Sequence, residues 1–235
     1  MTADLTQGSP EWFAARLGKV TASRISDVIA KTRTGWGASR QNYMAELIAE
    51  RLTGKPAEQY TNAAMQWGLD TEPQAKAAYA FCYDAEVREI GFIPHPLIPM
   101  SGASPDGIIH LDDGIIPIDH GLIEVKCPNT ATHIETLLGA LTPDKYFVQM
   151  QWQMACTGAK WCDFVSFDPR MPARLSIFVK RIPRDDRRVA ELEALVKDFL
   201  AELDRKIAAL NAVGHEQQAL IPPVFTDLAA AKPIF

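Results

Sequence analysis

The clearest hydrophobic pattern lies near the C-terminus, where apolar residues recur every three or four positions. This i, i+3, i+4, i+7 spacing predicts an amphipathic helix within residues 183–212 that is about 26 residues and about 39 Å long. We expect it to pack on the domain rather than form a coiled coil. After Gly214 the chain contains prolines, and residues 213–235 are predicted to form an irregular tail. The apolar positions of the helix are Leu192, Leu195, Val196, Phe199, Leu200, Leu203, Ile207 and Leu210.

Residues 1–85 are predicted to be mostly helical. Ser9-Pro10 is typical of a helix start, because a hydroxyl N-cap precedes proline at the first helical position, and Gly18 should end this short helix. A glycine-containing loop is predicted at 32–39. Further helices are predicted around residues 25–29, 39–52 and 71–83.

Residues 86–182 have a different pattern, with short Ile, Val and Leu runs between prolines and glycines. This pattern predicts strands joined by turns over 86–126. The predicted fold is therefore α/β (α+β mixed), a central mixed β-sheet flanked by helices in one domain that covers residues 1–235. Further along the chain, helices are predicted near 130–139 and 143–157, and strands at 161–167 and 174–182.

Composition and charge exclude few function classes. A formal net charge of −5 is unusual for a nucleic-acid-binding protein, but net charge does not fix the sign of each local patch. No apolar run approaches the roughly 18 residues of a membrane span, and the N-terminus lacks a signal-peptide pattern, so we expect a cytoplasmic protein without a membrane partner. The cysteines show no CxxC spacing and are expected to be free thiols rather than zinc ligands or disulfides. They are Cys82, Cys127, Cys156 and Cys162.

Charged residues interrupt one of the most apolar predicted strands, Gly121-Leu122-Ile123-Glu124-Val125-Lys126. Side chains at i and i+2 of a strand share a face, so Glu124 and Lys126 should point the same way, opposite Val125. Buried charges are costly unless they are paired or bind a metal. The charges therefore indicate either a functional site or a surface Glu–Lys pair.

An aspartate in the turn Ser104-Pro105-Asp106-Gly107 lies 18 residues before Glu124. A hairpin would bring Asp106 beside Glu124, where two carboxylates would suit Mg²⁺ or Mn²⁺. Such an ion could polarise a phosphoryl oxygen, and Lys126 could position a water or stabilise charge on the phosphate.

Pro105-Asp106 followed by Glu124-Val125-Lys126 resembles the PD-(D/E)XK nuclease motif. Over residues 11–180 the chain also resembles one branch of that superfamily, the phage lambda exonuclease and viral alkaline exonuclease family. This resemblance implies a restriction-endonuclease-like core with N-terminal helices and a long C-terminal helix. The further matching stretches are Glu11-Trp12, Leu17-Gly18, Thr21-Ala22-Ser23, Trp67–Glu72, Tyr146–Met154 and Phe167–Met171.

The resemblance implies that Asp106 and Glu124 bind metal together with the backbone carbonyl of Val125, and that Lys126 is the catalytic lysine. It further implies two Mg²⁺ ions, with Mn²⁺ as a substitute. Glu72 matches an acid near the second metal or the water. Among the glutamines, Gln151 matches an active-site residue, although Gln149 lies one helical step away and is an alternative for that role.

The same resemblance assigns DNA contacts. Arg16 and Ser23 match a pocket for the 5′-phosphate, where arginine can bind phosphate bidentately, and Arg33 matches a further basic position; a surface ion pair is the alternative for each arginine. Ser104 is either a DNA contact or a turn-capping hydroxyl. Met65 is either an apolar wedge that separates the terminal base pair or a core methionine.

Members of this family digest one strand of linear duplex DNA from the 5′ end to mononucleotides and leave 3′ single-stranded tails for phage-type recombination by strand annealing. The resemblance thus implies a homotrimeric ring, DNA ends with a 5′-phosphate, a single-strand annealing protein as partner, and a phage or prophage gene expressed in a bacterial host. Two alternatives remain: a PD-(D/E)XK endonuclease, and a non-catalytic DNA-binding or assembly protein.

Overall fold

A computed structural model describes residues 7–57, 62–110, 120–139 and 144–220. Within this part of the chain, no helix combines the length and apolar content that a membrane span requires. The helices are α1 (Pro10–Arg16), α2 (Ile25–Val28), α3 (Ala38–Thr53), α4 (Ala63–Tyr83), α5 (Thr130–Leu137), α6 (Asp144–Thr157) and α7 (Asp186–Leu220). The strands are β1 (Val20–Thr21), β2 (Lys31–Thr32), β3 (Gly35–Trp36), β4 (Glu86–Arg88), β5 (Ile93–Pro94), β6 (Ser101–Ala103), β7 (Gly107–His110), β8 (Gly121–Lys126), β9 (Trp161–Phe167) and β10 (Ile177–Pro183).

The central sheet has five strands in the order β10-β9-β8-β7-β4. Only the β8–β9 pair is parallel, whereas β10–β9, β8–β7 and β7–β4 are antiparallel. A smaller sheet, β1-β6-β5, and the hairpin β2-β3 lie outside it. The predicted mixed sheet flanked by helices is confirmed.

Helices cover both faces of the central sheet because β8 alternates its side chains between them. Ile123 and Val125 pack on one face with Ala75 and Tyr79 of α4. Leu122 packs on the other face, with Met150 and Met154 of α6. The central sheet is therefore the middle layer between α4 and α6, and β8 contacts both helices.

A third core joins the N-terminal helices to α6 and α7. Leu192, Val196, Phe199 and Leu203 of α7 are buried there, as the helical periodicity predicts, together with apolar residues of α2, α3 and α6. The helix packs on the protein over Leu192 to Leu203, as predicted. It is longer than predicted, since it continues to Leu220.

Two helix boundaries differ from the sequence-based prediction. The helix predicted at 71–83 begins at Ala63, where the Asn62 side chain accepts a hydrogen bond from the Met65 N–H, and it continues through Pro73. Residues 213–220, predicted as irregular tail, are helical, because Gly214 costs a helix only about 1 kcal/mol and helix-forming residues follow it. The rest of that predicted tail, 221–235, lies outside the described residues.

Candidate active site

The candidate active site lies where the beginning of β7 meets the end of β8. Asp106 directly precedes β7, and the antiparallel register pairs Gly107 with Ile123. The Val125 backbone N–H donates a hydrogen bond to Asp106 Oδ2 at 2.7 Å. The predicted hairpin therefore forms and places Asp106 beside the Glu124–Lys126 segment.

The glycine that follows Asp106 permits this close approach. A Cβ atom at Gly107 would lie 2.6 Å from Val87 Cγ1 and 3.1 Å from Ile123 Cγ2, which are side chains of the neighbouring strands β4 and β8. A larger residue would push the strands apart. Gly107 thus helps to hold Asp106 against β8.

Glu124 is fully buried, and polar groups surround its carboxylate. Gln149 and Gln153 of α6 donate side-chain hydrogen bonds to Oε1 and Oε2 respectively, each at 2.6 Å. Lys126 forms an ion pair with Oε1 from the same face of β8. The predicted shared face of Glu124 and Lys126 is thus confirmed, and the carboxylate is fixed from three directions.

Gln151 does not join this group. Its side chain donates to the Pro183 carbonyl at 2.9 Å and accepts from the Asp185 N–H at 2.8 Å, and so connects α6 to the start of α7. Residues two apart on a helix point about 200° away from each other, so Gln149 and Gln151 cannot both face Glu124. The structure brings Gln149, the alternative candidate, to the site.

Glu72 approaches the site from α4, together with a lysine that the sequence analysis did not single out. Lys76 Nζ lies 2.7 Å from Glu72 Oε1, an i, i+4 pair, and 3.6 Å from Glu89 Oε1. Burial lowers the pKa of Lys76, but the negative charges of Glu72, Asp106 and Glu89 raise it by more than burial lowers it. The pKa of Lys76 is therefore above its usual value.

The electrostatics of the site are dominated by acids that are close together and shielded from water. Burial and the charges of Glu124 and Glu72 raise the pKa of Asp106 from 3.8 to about 8, against the opposing effects of Lys126 and the Val125 N–H. Burial lowers the pKa of Lys126, but Glu124 and Asp106 outweigh it and the net pKa is well above normal. Lys126 is therefore a cationic donor in this arrangement.

A basic cavity of about 460 Å³ lies between α1, the segment 17–24, α3 and the start of α4. Arg16, Ser23 and Met65 all line it, which brings three of the predicted DNA-contact residues together. Lys19 and Arg24 also line it, as do Glu46 and Glu50, so the cations outnumber the acids by one. Arg24 is already paired with Asp27 and Glu46, which leaves Arg16 and Lys19 as the cations that can face an anion.

Arg16 connects this cavity to the turn that carries Asp106. Its NH1 group donates to Ser104 Oγ at 3.1 Å, and Trp12 Nε1 donates to the same oxygen at 3.0 Å. The guanidinium lies 4.0 Å from the centroid of the Trp12 ring. Burial lowers the pKa of Arg16 to about 10 against the opposing effects of Tyr43 and Glu50, and no described carboxylate is close enough to form an ion pair with it. A partly buried cation that has Glu50 nearby but no direct ion pair is suited to bind an anionic ligand.

Two predicted DNA contacts differ in their placement. Met65 is 53% exposed in the first turn of α4, so it is not the core methionine that the sequence left as an alternative. Arg33 is exposed in the turn between β2 and β3 and is not among the residues that line the basic cavity. The structure thus brings Met65 to the cavity but leaves Arg33 outside it.

A family model described as the YqaJ-like viral recombinase domain matches residues 11–160. The chain belongs to this family. A search of curated proteins found no match. Among solved structures, the chain is similar to LHK-Exo, an alkaline exonuclease from Laribacter hongkongensis, at 51% identity. The similarity covers 89% of this chain and 100% of that chain. The TM-score is 0.80 for the complex of LHK-Exo with dAMP and 0.79 for a second crystal structure.

More distant similarity confirms the fold of this YqaJ-like protein. A phage-related exonuclease from Haemophilus somnus 129PT is 17% identical, with 82% of this chain and 96% of that chain covered and a TM-score of 0.61. The predicted membership of the lambda exonuclease family, and the predicted PD-(D/E)XK-type mixed α/β fold, are both confirmed.

The donor atoms of this family member fit a divalent cation. The described residues contain no cluster of three His, Cys, Asp or Glu side chains at metal-binding spacing. The predicted ligand set does not need one, because its third donor is the Val125 backbone carbonyl. Asp106 and Glu124 offer hard oxygen donors. Burial and the charge of Glu124 raise the pKa of Asp106, and a cation would relieve the repulsion between the two carboxylates. The residues present therefore suit Mg²⁺ or Mn²⁺.

Gln153 and Lys76 are the site residues that sequence reasoning missed. Each lies four positions after a residue that it singled out, since Gln153 follows Gln149 and Lys76 follows Glu72. Residues four apart share a helix face, and this spacing is the signal that could have identified both. The cysteines are free thiols, as predicted.

Proposed function

We propose that this protein is a metal-dependent 5′-to-3′ exonuclease that digests one strand of linear double-stranded DNA to mononucleotides and leaves 3′ single-stranded tails. Its membership of the viral recombinase family and its 51% identity to an alkaline exonuclease support a nuclease role in recombination. The observation that carries the proposal is the convergence of Asp106, Glu124 and Lys126, whose Asp106 turn is hydrogen-bonded through Ser104 to Arg16 in the basic cavity.

In the proposed reaction, Asp106, Glu124 and the Val125 carbonyl would hold a divalent cation, and Glu72 would contribute to a second one. Mg²⁺, or Mn²⁺ in its place, would supply Lewis-acid stabilisation of the phosphate at which the bond breaks. Lys126 donates a hydrogen bond to the same phosphate or to the attacking water, in keeping with its cationic state.

Two glutamines support this arrangement from α6. Their hydrogen bonds to both oxygens of Glu124 hold the carboxylate in one orientation, so that it meets the cation without reorganisation. We assign the active-site glutamine role to Gln149, with Gln153 behind it. Gln151 stabilises the junction with α7 instead.

The basic cavity accounts for the proposed direction of digestion. Arg16, with Ser23 and Ser104 nearby, would bind the 5′-phosphate of the strand end, and so place the first internucleotide phosphate beside Asp106 and Glu124. Met65, exposed at the edge of the cavity, would insert as the wedge against the terminal base pair. Arg33 would contact DNA further from the site.

The product and the assembly belong to the same proposal. LHK-Exo has been crystallised with dAMP, which is consistent with mononucleotide release by this chain. We also propose one nuclease domain over residues 1–235, a homotrimeric ring that encloses the DNA, a single-strand annealing protein as partner, and a phage or prophage origin with action in the bacterial cytoplasm. Enclosure would reconcile DNA binding with the net charge of −5, provided that lysines and arginines face the channel.

Digestion of linear duplexes labelled separately at the 5′ and 3′ termini tests this function. We expect early release of 5′ label as mononucleotide, retention of the 3′ label, preference for a 5′-phosphate over a 5′-hydroxyl, and loss of all release in EDTA. Closed circular duplex of the same sequence is the control and should remain intact. Equal cutting of circular and linear DNA would instead support an endonuclease, and no cutting of either with Mg²⁺ or Mn²⁺ would support a non-catalytic protein.

A further inference from the structure

A second lysine enters the active site beside the acid assigned to the second cation. Lys76 contacts Glu72 at 2.7 Å, and its side chain is only 15% exposed. Its other anionic neighbour, Glu89, lies at 3.6 Å and is 76% exposed, so water screens that interaction. The main partner of Lys76 is therefore Glu72.

The charges of the described site are nearly balanced before any metal binds. Three carboxylates, Glu72, Asp106 and Glu124, are accompanied by two ammonium groups, which leaves one negative charge when all are ionised. Lys126 contacts Glu124 and Lys76 contacts Glu72. The Asp106 side chain instead accepts a hydrogen bond from a backbone N–H, that of Val125. One divalent cation at Asp106 and Glu124 would already overcompensate this charge.

A cation at Glu72 must therefore compete with Lys76. We propose that Lys76 is a positioning residue that orients Glu72 and weakens divalent-cation binding there, so that the two metal positions have unequal affinity. This inference rests on the proposed metal-dependent function. The competition is reciprocal, since a cation that binds Glu72 must weaken the Lys76–Glu72 contact by the same free energy.

Titration of the metal-free protein with MnCl₂, with free Mn²⁺ counted by electron paramagnetic resonance, tests the inference without DNA or turnover. The parent should show one tighter and one weaker site. Lys76→Met should tighten the weaker site by roughly 5–150-fold, the usual range for coupled sites, and leave the tighter site nearly unchanged. Lys76→Arg, which keeps the charge, should behave like the parent, and so should Lys180→Met, which removes an exposed lysine of β10.

Three results would overturn the inference: unchanged or weaker Mn²⁺ binding in Lys76→Met, two equal sites in the parent, or a tightened site that persists after Glu72→Gln is added. Lys76→Gln, with its melting temperature measured beside the parent, replaces the methionine variant if that variant does not fold. A parent that binds no Mn²⁺ at all would instead refute the metal dependence in the proposed function, and that outcome is recognisable before any variant is tested.

Discussion

Replacing Arg16 by methionine tests whether the basic cavity binds the 5′-phosphate of the DNA end. Arg16 is partly buried and forms no ion pair with a described carboxylate, and its guanidinium contacts the Ser104 hydroxyl and the face of Trp12. Methionine retains an apolar chain that can pack on Trp12 but cannot donate a hydrogen bond. The substitution therefore removes the charge with little change in volume.

The expected effect follows from the strength of a hydrogen bond to a charged group. Such a bond contributes about 1.5–3 kcal/mol, which corresponds to a change of roughly 10–150-fold. The relevant quantity is the ratio of kcat/KM for 5′-phosphorylated DNA to kcat/KM for 5′-hydroxyl DNA. Loss of the Arg16–Ser104 contact affects both substrates alike and cancels in this ratio, so Arg16→Met should lower the ratio by that factor.

Arg24 offers a matched control in the same cavity. Its guanidinium lies 2.6 Å from Asp27 Oδ2 and 2.9 Å from Glu46 Oε1, so its charge is already neutralised. Arg24→Met should leave the phosphate-to-hydroxyl ratio within about threefold of the parent, even if it lowers stability by about 1 kcal/mol. An equal loss of preference in both variants, or none in Arg16→Met, would refute the assignment of the phosphate to Arg16.

Two further predictions concern Glu124 and Asp106. Gln153→Leu should lower kcat by roughly 10–150-fold, because the buried Glu124 carboxylate loses a hydrogen-bond donor that contributes about 1.5–3 kcal/mol. Gln151→Leu should instead lower the free energy of unfolding and have little effect on kcat. Digestion and urea-unfolding assays that gave the reverse pattern would contradict the structure. Because the pKa of Asp106 rises from 3.8 unfolded to about 8 folded, the metal-free native state binds the extra proton, and urea unfolding should show stability falling as pH rises from about 4 to about 8. Asp106→Asn should flatten this pH profile, and its free energy of unfolding at pH 8 should exceed that of the parent by at least about 1.4 kcal/mol. A pH dependence that persists in this variant would show that another group titrates.

The parts of the site that lie within one strand could be predicted from the sequence. Strand periodicity alone places Glu124 and Lys126 on one face of β8, and the turn residues around Asp106 predict the hairpin that brings it to β8. These relations are local, because a strand and a short connection determine them.

The choice among glutamines required the phase of a helix. Gln149, Gln151 and Gln153 alternate along the sequence, but on α6 the first and third are about 40° apart and the second points away from them. Family resemblance favours Gln151, whereas the phase of the predicted helix groups Gln149 with Gln153. The helical phase, which is a property of the sequence, distinguishes the two candidates.

Contacts between distant elements could not be predicted. The buried Asp163 of β9 accepts a hydrogen bond from Tyr79 Oη at 2.6 Å and forms an ion pair with Arg181. Tyr79 is 84 residues away in the sequence and Arg181 is 18 residues away. The packing of α4 on the central sheet also explains why this helix extends through Pro73, since tertiary contacts can offset the roughly 3 kcal/mol that a proline costs in a helix interior. The same contacts place Glu72 near Asp106.

The central claim is that Asp106, Glu124 and Lys126 together hydrolyse the DNA backbone. Single-turnover release of the first nucleotide from a 5′-phosphorylated duplex in Mg²⁺, measured for the parent, Asp106→Asn and Lys126→Met, tests it most directly, with melting temperature and DNA binding recorded in parallel. The account predicts that both variants fold and bind DNA but release the nucleotide at least about 10³-fold more slowly. Parent-like release by either folded variant would contradict it.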